Sequence, residues 1–225
     1  MSRHLKRCAA PKSWVIKRKV HKWILKPLPG AHPIEKMIPI GLLMRQLECG
    51  QTSKEIKKIL NDKNATVNGK TIKKIHHGVG FLDAISIKPN TYLRGTIDSK
   101  GRLKFIDAPQ EEMNKILCKI TGKKTVKEGK TQYNLSNGRN ILAEKDKYTT
   151  GDSLLIEVPS QKIIEHFPMT KGNTALLTGG RHIGTVGKIE NIEGNRAWCT
   201  KDKEKVETLK KYVFTVGKDK PAFKL

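Results

Sequence analysis

Hydrophobic positions recur with two different periods along this chain. Between Thr52 and Ile87 the pattern changes from helical to strand-like within a few turns. Ile56, Ile59 and Leu60 repeat at i, i+3 and i+4, which gives a short helix one apolar face. Lys54, Lys57 and Lys58 fall largely off that stripe. Thr52-Ser53-Lys54-Glu55 fits a capping box, in which the threonine hydroxyl and the glutamate carboxylate satisfy each other's backbone N–H groups. Upstream, Leu42, Leu43 and Leu47 form a second apolar stripe, with Arg45 and Glu48 outside it. That predicts a helix starting at Pro39 and stopping at Gly50. Downstream, Val67-Asn68-Gly69-Lys70 predicts a tight hairpin, because both central residues tolerate positive φ. Residues 81–87 read as a strand with Phe81, Ile85 and Ile87 on one face. The segment is therefore expected to be a compact helix-helix-hairpin unit that buries its aliphatic residues and leaves its lysines in water.

After Ile87 the strand period dominates. Residues 92–97 and 102–106 flank a turn at 98–101 and predict a hairpin. Asp107-Ala108-Pro109 is expected to start a short helix, with Glu111 and Glu112 in the first turn, where the helix dipole favours acids. Further strands are expected over 117–126, 131–135, 141–142, 154–158 and 163–167, a spacing suited to a small barrel or sandwich. From Thr170 the chain is glycine-rich. Strands over 175–178 and 185–192 flank the loop Gly179-Gly180-Arg181-His182-Ile183-Gly184, as in an SH3-like barrel hairpin. The remaining strands are expected over 196–200, 205–209 and 212–216. No repeat of fixed period is present.

Charge narrows the functional classes. The chain has 45 Lys and Arg against 21 Asp and Glu, a net charge of +24 on 225 residues. An excess of this size opposes compaction unless a polyanion neutralises it. A membrane span is excluded as the reason for the chain's surface chemistry, because the longest apolar run, 37–44, is interrupted by Pro39 and Gly41. The basic N-terminus leads into no long apolar stretch of the secretory kind. Cys8, Cys49, Cys118 and Cys199 lack metal or redox spacing and read as reduced structural thiols of a cytosolic protein. Within residues 1–36, Arg3, Lys6, Arg7, Lys12, Lys17, Arg18 and Lys19 lead a run of basic residues in which Glu35 is the only acid. Pro11, Pro27, Pro29 and Pro33 bar a long helix there. This segment is expected to be an extended tail, unable to fold alone, that lies along nucleic acid. Its lysines would meet phosphates, and Trp14 and Trp23 would be its stacking candidates.

No catalytic set emerges. The loop at 179–184 has neither a Walker ending nor the glycine order of a dinucleotide loop. His76 and His77 are adjacent, so in a strand their rings would diverge, and no metal site is expected. Asp83, between Leu82 and Ala84, is the one carboxylate in an apolar strand. A hydrogen-bonded structural role for it is favoured over a general base of raised pKa.

Several segments resemble one known family. His4-Leu5-Lys6-Arg7-Cys8-Ala9-Ala10-Pro11-Lys12-Ser13-Trp14 looks like the signature opening of the archaeal-eukaryotic ribosomal small-subunit protein four, the four-e family. The resemblance continues through Pro29-Gly30-Ala31-His32-Pro33, the stretches 80–87 and 135–141, Thr178-Gly179-Gly180-Arg181-His182-Ile183-Gly184, and 212–221. These anchors are collinear over nearly the whole chain. Gly78 departs from the proline expected before Gly80-Phe81-Leu82-Asp83, and the chain ends without a long basic extension, as in the archaeal type.

The resemblance implies an α+β, mostly β architecture in four parts: a basic extended tail (1–36), an αL RNA-binding module (37–90), a central small β domain (91–168) and a C-terminal KOW, SH3-like barrel (170–221). It also implies a structural, non-catalytic component of the small ribosomal subunit, in the cytoplasm. Its partners would be small-subunit ribosomal RNA and neighbouring ribosomal proteins, with no membrane, cofactor or small-molecule substrate. By position, Arg3, His4, Lys6, Arg7, Lys12 and Trp14 belong to the family's tail, and Gly179, Gly180, Arg181, His182 and Gly184 to its KOW loop. With Lys17, Arg18, Lys19, Lys54, Lys57, Lys58, Lys70, Lys73 and Lys74 they make up the expected RNA-contacting set. The rival readings are an RNA-modifying enzyme that uses the αL module as a guide, and a KOW-type transcription or translation factor.

Overall fold

The computed structural model describes residues 4–126, 129–144, 146–201 and 204–224. The chain divides into two compact units: Met1–Thr96 with Arg102–Asn114, and Ile97–Gly101 with Lys115–Leu225. The architecture is α+β and mostly β, with only two α-helices among the described residues.

The first unit begins with the short paired strands β1 (Leu5–Lys6) and β2 (Trp23–Ile24). Next come β3 (Met37–Pro39), α1 (Ile40–Gln46), α2 (Ser53–Asn61), β4 (Ala65–Val67), β5 (Lys70–Thr71), β6 (Gly78–Gly80), β7 (Ala84–Ile87), β8 (Thr91–Ile97) and β9 (Leu103–Asp107). The main sheet has the order β5-β4-β7-β8-β9, and β3 pairs separately with β6. Alternation along the strands turns Ala65, Val67, Ile85, Ile87 and Leu93 inward, where they meet Leu43, Met44, Ile56 and Leu60 from the two helices. Pro39 caps α1 from the extended region, one residue ahead of its expected place in the first turn. Helix α1 runs so close to Ile75 that a Cβ on Gly41 would lie 2.1 Å from Ile75 Cγ1. Only glycine fits there without a shift of that side chain.

Three expectations change in this unit. Helix α1 ends at Gln46, short of the stop expected at Gly50, because the left-handed turn falls at Glu48, with φ 57. The strand expected over 81–87 is confined to β7, because Leu82 adopts φ +60 and turns the chain before Ala84. Ile85 and Ile87 are buried, whereas Phe81 lies in the turn and is half-buried. The largest change concerns the N-terminal segment, which is folded onto the unit. Ala10 and Trp14 enter its core, and Leu5, Ile16, Ile24 and Leu25 pack against that core. These apolar residues follow no period, so they leave no amphipathic pattern, yet together they anchor the segment.

The second unit contains two five-stranded antiparallel sheets. One is built from β10 (Lys115–Thr125), β11 (Thr131–Leu135), β12 (Asn140–Ala143), β13 (Ser153–Glu157) and β14 (Ile163–Phe167), in the order β12-β11-β10-β13-β14. The other contains β15 (Thr174–Leu177), β16 (Val186–Glu193), β17 (Arg196–Lys201), β18 (Glu204–Leu209) and β19 (Val213–Gly217), in the order β18-β17-β16-β15-β19. The last strand therefore returns to pair with the first, Leu177 opposite Val213. Ala175, Leu177, Ile189, Ala197, Cys199, Val206 and Val213 form the core against this sheet. The helix expected after Asp107 shrinks to one 3-10 turn, Gln110–Glu112.

Candidate nucleic-acid interface

The basic display on α2 follows directly from the way this helix is started and buried. The Glu55 N–H donates to Thr52 Oγ1 at 3.3 Å, and Glu55 Oε2 accepts from the backbone N–H groups of Thr52 and Gln51 at 3.4 and 2.9 Å. The Thr52 hydroxyl, and then these two N–H groups, hold the Glu55 carboxyl below its ordinary value. With the start fixed, Ile56 and Leu60 are completely buried. Lys54, Lys57 and Lys58 consequently all face solvent.

The adjoining hairpin extends this basic surface. Asn68 and Gly69 take φ values of 50 and 74, as the Asn-Gly turn requires, and Lys70 follows on β5. Lys70, Lys73 and Lys74 are all exposed. The turn is keyed into the interior: Asn68 Nδ2 donates to Asp83 Oδ1 at 2.7 Å, and Asn68 Oδ1 accepts from the Ala84 N–H at 2.9 Å. The display of Lys70 therefore depends on a buried carboxylate.

The N-terminal residues divide into those that face outward and those that hold the segment. His4, Lys6, Lys12, Lys17 and Lys19 are exposed. Arg7 and Arg18 are half-buried braces: Arg7 Nε donates to the Lys17 carbonyl at 2.5 Å, and Arg18 donates to the carbonyls of Ala10 and Pro11 at 2.7 and 2.9 Å. Trp14 is a core residue, only 3% exposed, with its indole N–H on the Met37 carbonyl at 2.6 Å. Its ring is not available for stacking, which corrects the expectation for this residue. The exposed tryptophan is Trp23, with Lys22 Nζ 5.2 Å from its ring centroid and the His4 ring tilted beside it at 5.4 Å. Both tryptophans stand among basic residues, so their neighbours gave no means of ranking them. The partner that decides the matter, Met37, is 23 residues from Trp14. Arg3 lies outside the described residues.

In the second unit Arg181 and His182 are exposed on the loop between β15 and β16. The glycines around them have internal reasons to be there. A Cβ on Gly179 would lie 2.4 Å from Tyr212 Cδ1, and one on Gly184, at φ +77, would lie 2.7 Å from the Asp98 backbone. Gly180, at φ +85, is exposed. Lys119 was not among the expected site residues, and its role is structural: its Nζ donates to the carbonyls of Lys211 and Val213 at 3.2 and 2.5 Å.

Acid–base chemistry finds no place at Asp83. Its carboxylate accepts from His32 Nε2 (3.1 Å), Asn68 Nδ2 (2.7 Å) and the Gly80 N–H (2.8 Å). Burial alone would raise its pKa, but His32, Asn68 and Gly80 together outweigh burial and hold it below the ordinary carboxylate value. That is the opposite of a general base tuned upward. His32 is likewise disfavoured as a cation by burial, yet the hydrogen bond and charge of Asp83 bring its net pKa above the usual 6.5. Among the described residues, no three His, Cys, Asp or Glu side chains are grouped to hold a metal, and no helix is long and apolar enough to cross a membrane.

Fold and surface together define a basic, mostly β protein whose exposed chemistry is the display of cations on rigid supports. The family models sharpen that class: residues 89–163 match the ribosomal family S4e, and residues 1–35 match the RS4NT (NUC023) domain. The small ribosomal subunit protein eS4 of Methanocaldococcus jannaschii is 41% identical over 239 residues, covering 99% of this chain and 97% of that relative. Its counterpart from Methanosphaera stadtmanae is 42% identical over 231 residues, covering 99% and 95%. The crystal structure of 30S ribosomal protein S4e from Thermoplasma acidophilum superposes with a TM-score of 0.69 at 26% identity, over 81% of this chain and 94% of that one. The chain belongs to the S4e family of ribosomal proteins, a structural family and not an enzymatic one.

Proposed function

We propose that this chain is a structural component of the small ribosomal subunit that binds ribosomal RNA and holds it in shape. The observation that carries the reading is the α2 surface: Lys54, Lys57 and Lys58 are exposed on a helix whose other face is locked into the core. Lysines carried on a preformed helix, in a chain of net charge +24, can neutralise phosphates with no backbone left to order, so binding costs side-chain entropy alone at this surface. In this reading residues 37–90 act as an αL RNA-binding module. The helix pair followed by the Asn-Gly hairpin supports that assignment.

The C-terminal strands at 170–221 act as a KOW-type SH3-like barrel, supported by the strand order in which β19 returns to β15. Of residues 91–168, β8 and β9 add to the sheet of the first unit, and β10 to β14 serve as the central β domain. The segment 1–36 contributes Lys6, Lys12, Lys17 and Lys19 to the RNA surface from a folded support. Arg181 and His182 extend the cationic surface in the second unit. Neighbouring ribosomal proteins complete the set of partners.

Cosedimentation tests the assignment. Small subunits washed at high salt are expected to retain one copy of the chain each. Recovery only in the free pool would contradict a structural role and favour a transiently visiting factor.

A further inference from the structure

The main sheet of the first unit has a second face that the lysine surface does not use. Strand alternation sends Ala65, Val67, Ile85 and Ile87 into the core. The same alternation turns Thr66, Ser86 and Tyr92 the other way. These three stand side by side across β4, β7 and β8, since Thr66 pairs with Ser86 and Ser86 with Tyr92. They form the floor of a cleft of about 670 Å³, with Asn64, Gln110 and Asn114 around it. Among the described residues, Lys88 is the only charged side chain in the lining, and no carboxylate lines it.

The cleft has a fixed wall. Gln110 belongs to the 3-10 turn Gln110–Glu112, and the Glu112 carbonyl accepts from Arg94 Nη2 at 2.7 Å. Arg94 is only 1% exposed, and burial lowers its pKa to about 10, which leaves it charged at neutral pH. A buried cation thus pins the turn that carries the wall. By contrast, the polar groups that face the cleft are unspent. Among the described residues, the side chains of Asn64, Thr66, Ser86, Tyr92, Gln110 and Asn114 make no hydrogen bond.

We propose that this cleft receives one unstacked nucleotide of the bound RNA strand. The proposal rests on the RNA-binding reading above and adds a site to it. Each carboxamide carries both donors and an acceptor, the combination that a nucleobase edge presents. Tyr92 offers a ring for the base, and Lys88 offers the single cation that one phosphodiester needs. The cleft volume lies within the range of sites that enclose small ligands. Sequence-specific recognition of RNA depends on such splayed bases, whose edges are accessible only outside a duplex.

The test uses the full chain on small-subunit ribosomal RNA, with chemical probing of base edges and affinity measured across salt concentrations. The intact protein is expected to protect the Watson–Crick edge of one nucleotide outside the duplexes. Ser86→Phe, which fills the floor, is expected to expose that base again and to weaken binding by about tenfold, with a salt slope shallower by about 0.7, the single-strand phosphate that Lys88 no longer meets. The milder rim variant Gln110→Ala with Asn114→Ala, at two exposed positions, is expected to do the same to a smaller degree without loss of fold. An identical protection pattern in wild type and both variants would overturn the cleft assignment while leaving RNA binding in place. Absence of RNA binding by the wild-type chain would overturn both.

Discussion

His32 Nε2 lies 3.1 Å from the Asp83 carboxylate in the interior of the first unit, although 51 residues separate the two in sequence. The pair fastens the end of the N-terminal segment to the turn before β7. Because Asp83 also holds Asn68, the same interaction supports the hairpin that presents Lys70. Replacing His32 by Ala is expected to destabilise the unit by about 3 kcal/mol, the low end for breaking a buried pair, since Asn68 and Gly80 still serve the carboxylate. Urea unfolding measures this directly. A change under about 0.5 kcal/mol, as at an ordinary surface site, would show that the pair contributes nothing.

The same pair sets a pH dependence. The folded pKa of His32 is raised above 6.5, so its contribution is complete below that value and disappears as pH rises through the folded value. The folded pKa of Asp83 is lowered from 3.8, so its contribution is present above 3.8 and disappears as pH falls through the folded value. His77 has the opposite tendency to His32, because burial lowers its pKa and favours the neutral ring. The difference between wild type and His32→Ala therefore isolates the pair. That difference is expected to be largest between the ordinary values 3.8 and 6.5 and to shrink on the alkaline side. A difference that stays constant from acid to alkaline pH would contradict the coupling.

Trp14 and Trp23 are expected to separate stability from binding. Trp14→Ala removes a buried ring and its bond to Met37, at a cost of about 3–5 kcal/mol. Trp23→Ala changes a half-exposed ring and is expected to leave the unfolding midpoint nearly unchanged while weakening RNA binding by roughly tenfold, the scale of one base–aromatic stack. Thermal unfolding and filter binding distinguish the two. Equal stability losses for both variants would contradict the assignment of Trp23 to the surface.

Gly179 is expected to be needed for packing before it is needed for any ligand. Ala at this position brings a Cβ within 2.4 Å of the Tyr212 ring, so the ring must move, at a cost of about 1–3 kcal/mol. Tyr212→Leu in the same chain should relieve most of that cost. A full-size penalty in the Tyr212→Leu background would place the constraint elsewhere.

Local patterns made much of this fold legible. The capping box at Thr52, the Asn-Gly turn at Asn68 and the strands β11 and β14 each depend on residues a few positions apart, and each stands where its pattern put it. The lysine face of α2 follows from the same local period. What stayed hidden were interactions closed across long stretches of chain: Trp14 to Met37, His32 to Asp83, and the β1–β2 pairing that folds the N-terminal segment. That segment looked like a free tail because proline and charge erase periodicity, and periodicity is blind to scattered apolar residues that share a distant core. Arg18 and Lys119 teach the same lesson for charge. Both donate to backbone carbonyls, so a basic residue in a basic chain is not by that fact a phosphate ligand.

The central claim, that exposed lysines on a rigid helix neutralise RNA phosphates, is tested most directly by the salt dependence of binding to small-subunit ribosomal RNA. Lys54, Lys57 and Lys58 are exposed, so reversing each to Glu is expected to leave the fold intact. The plot of log affinity against log salt should become shallower by about 0.9 for each duplex phosphate that is no longer neutralised, with affinity reduced across RNA sequences. A triple variant with the wild-type slope and affinity would contradict the claim and return that helix face to the solvent.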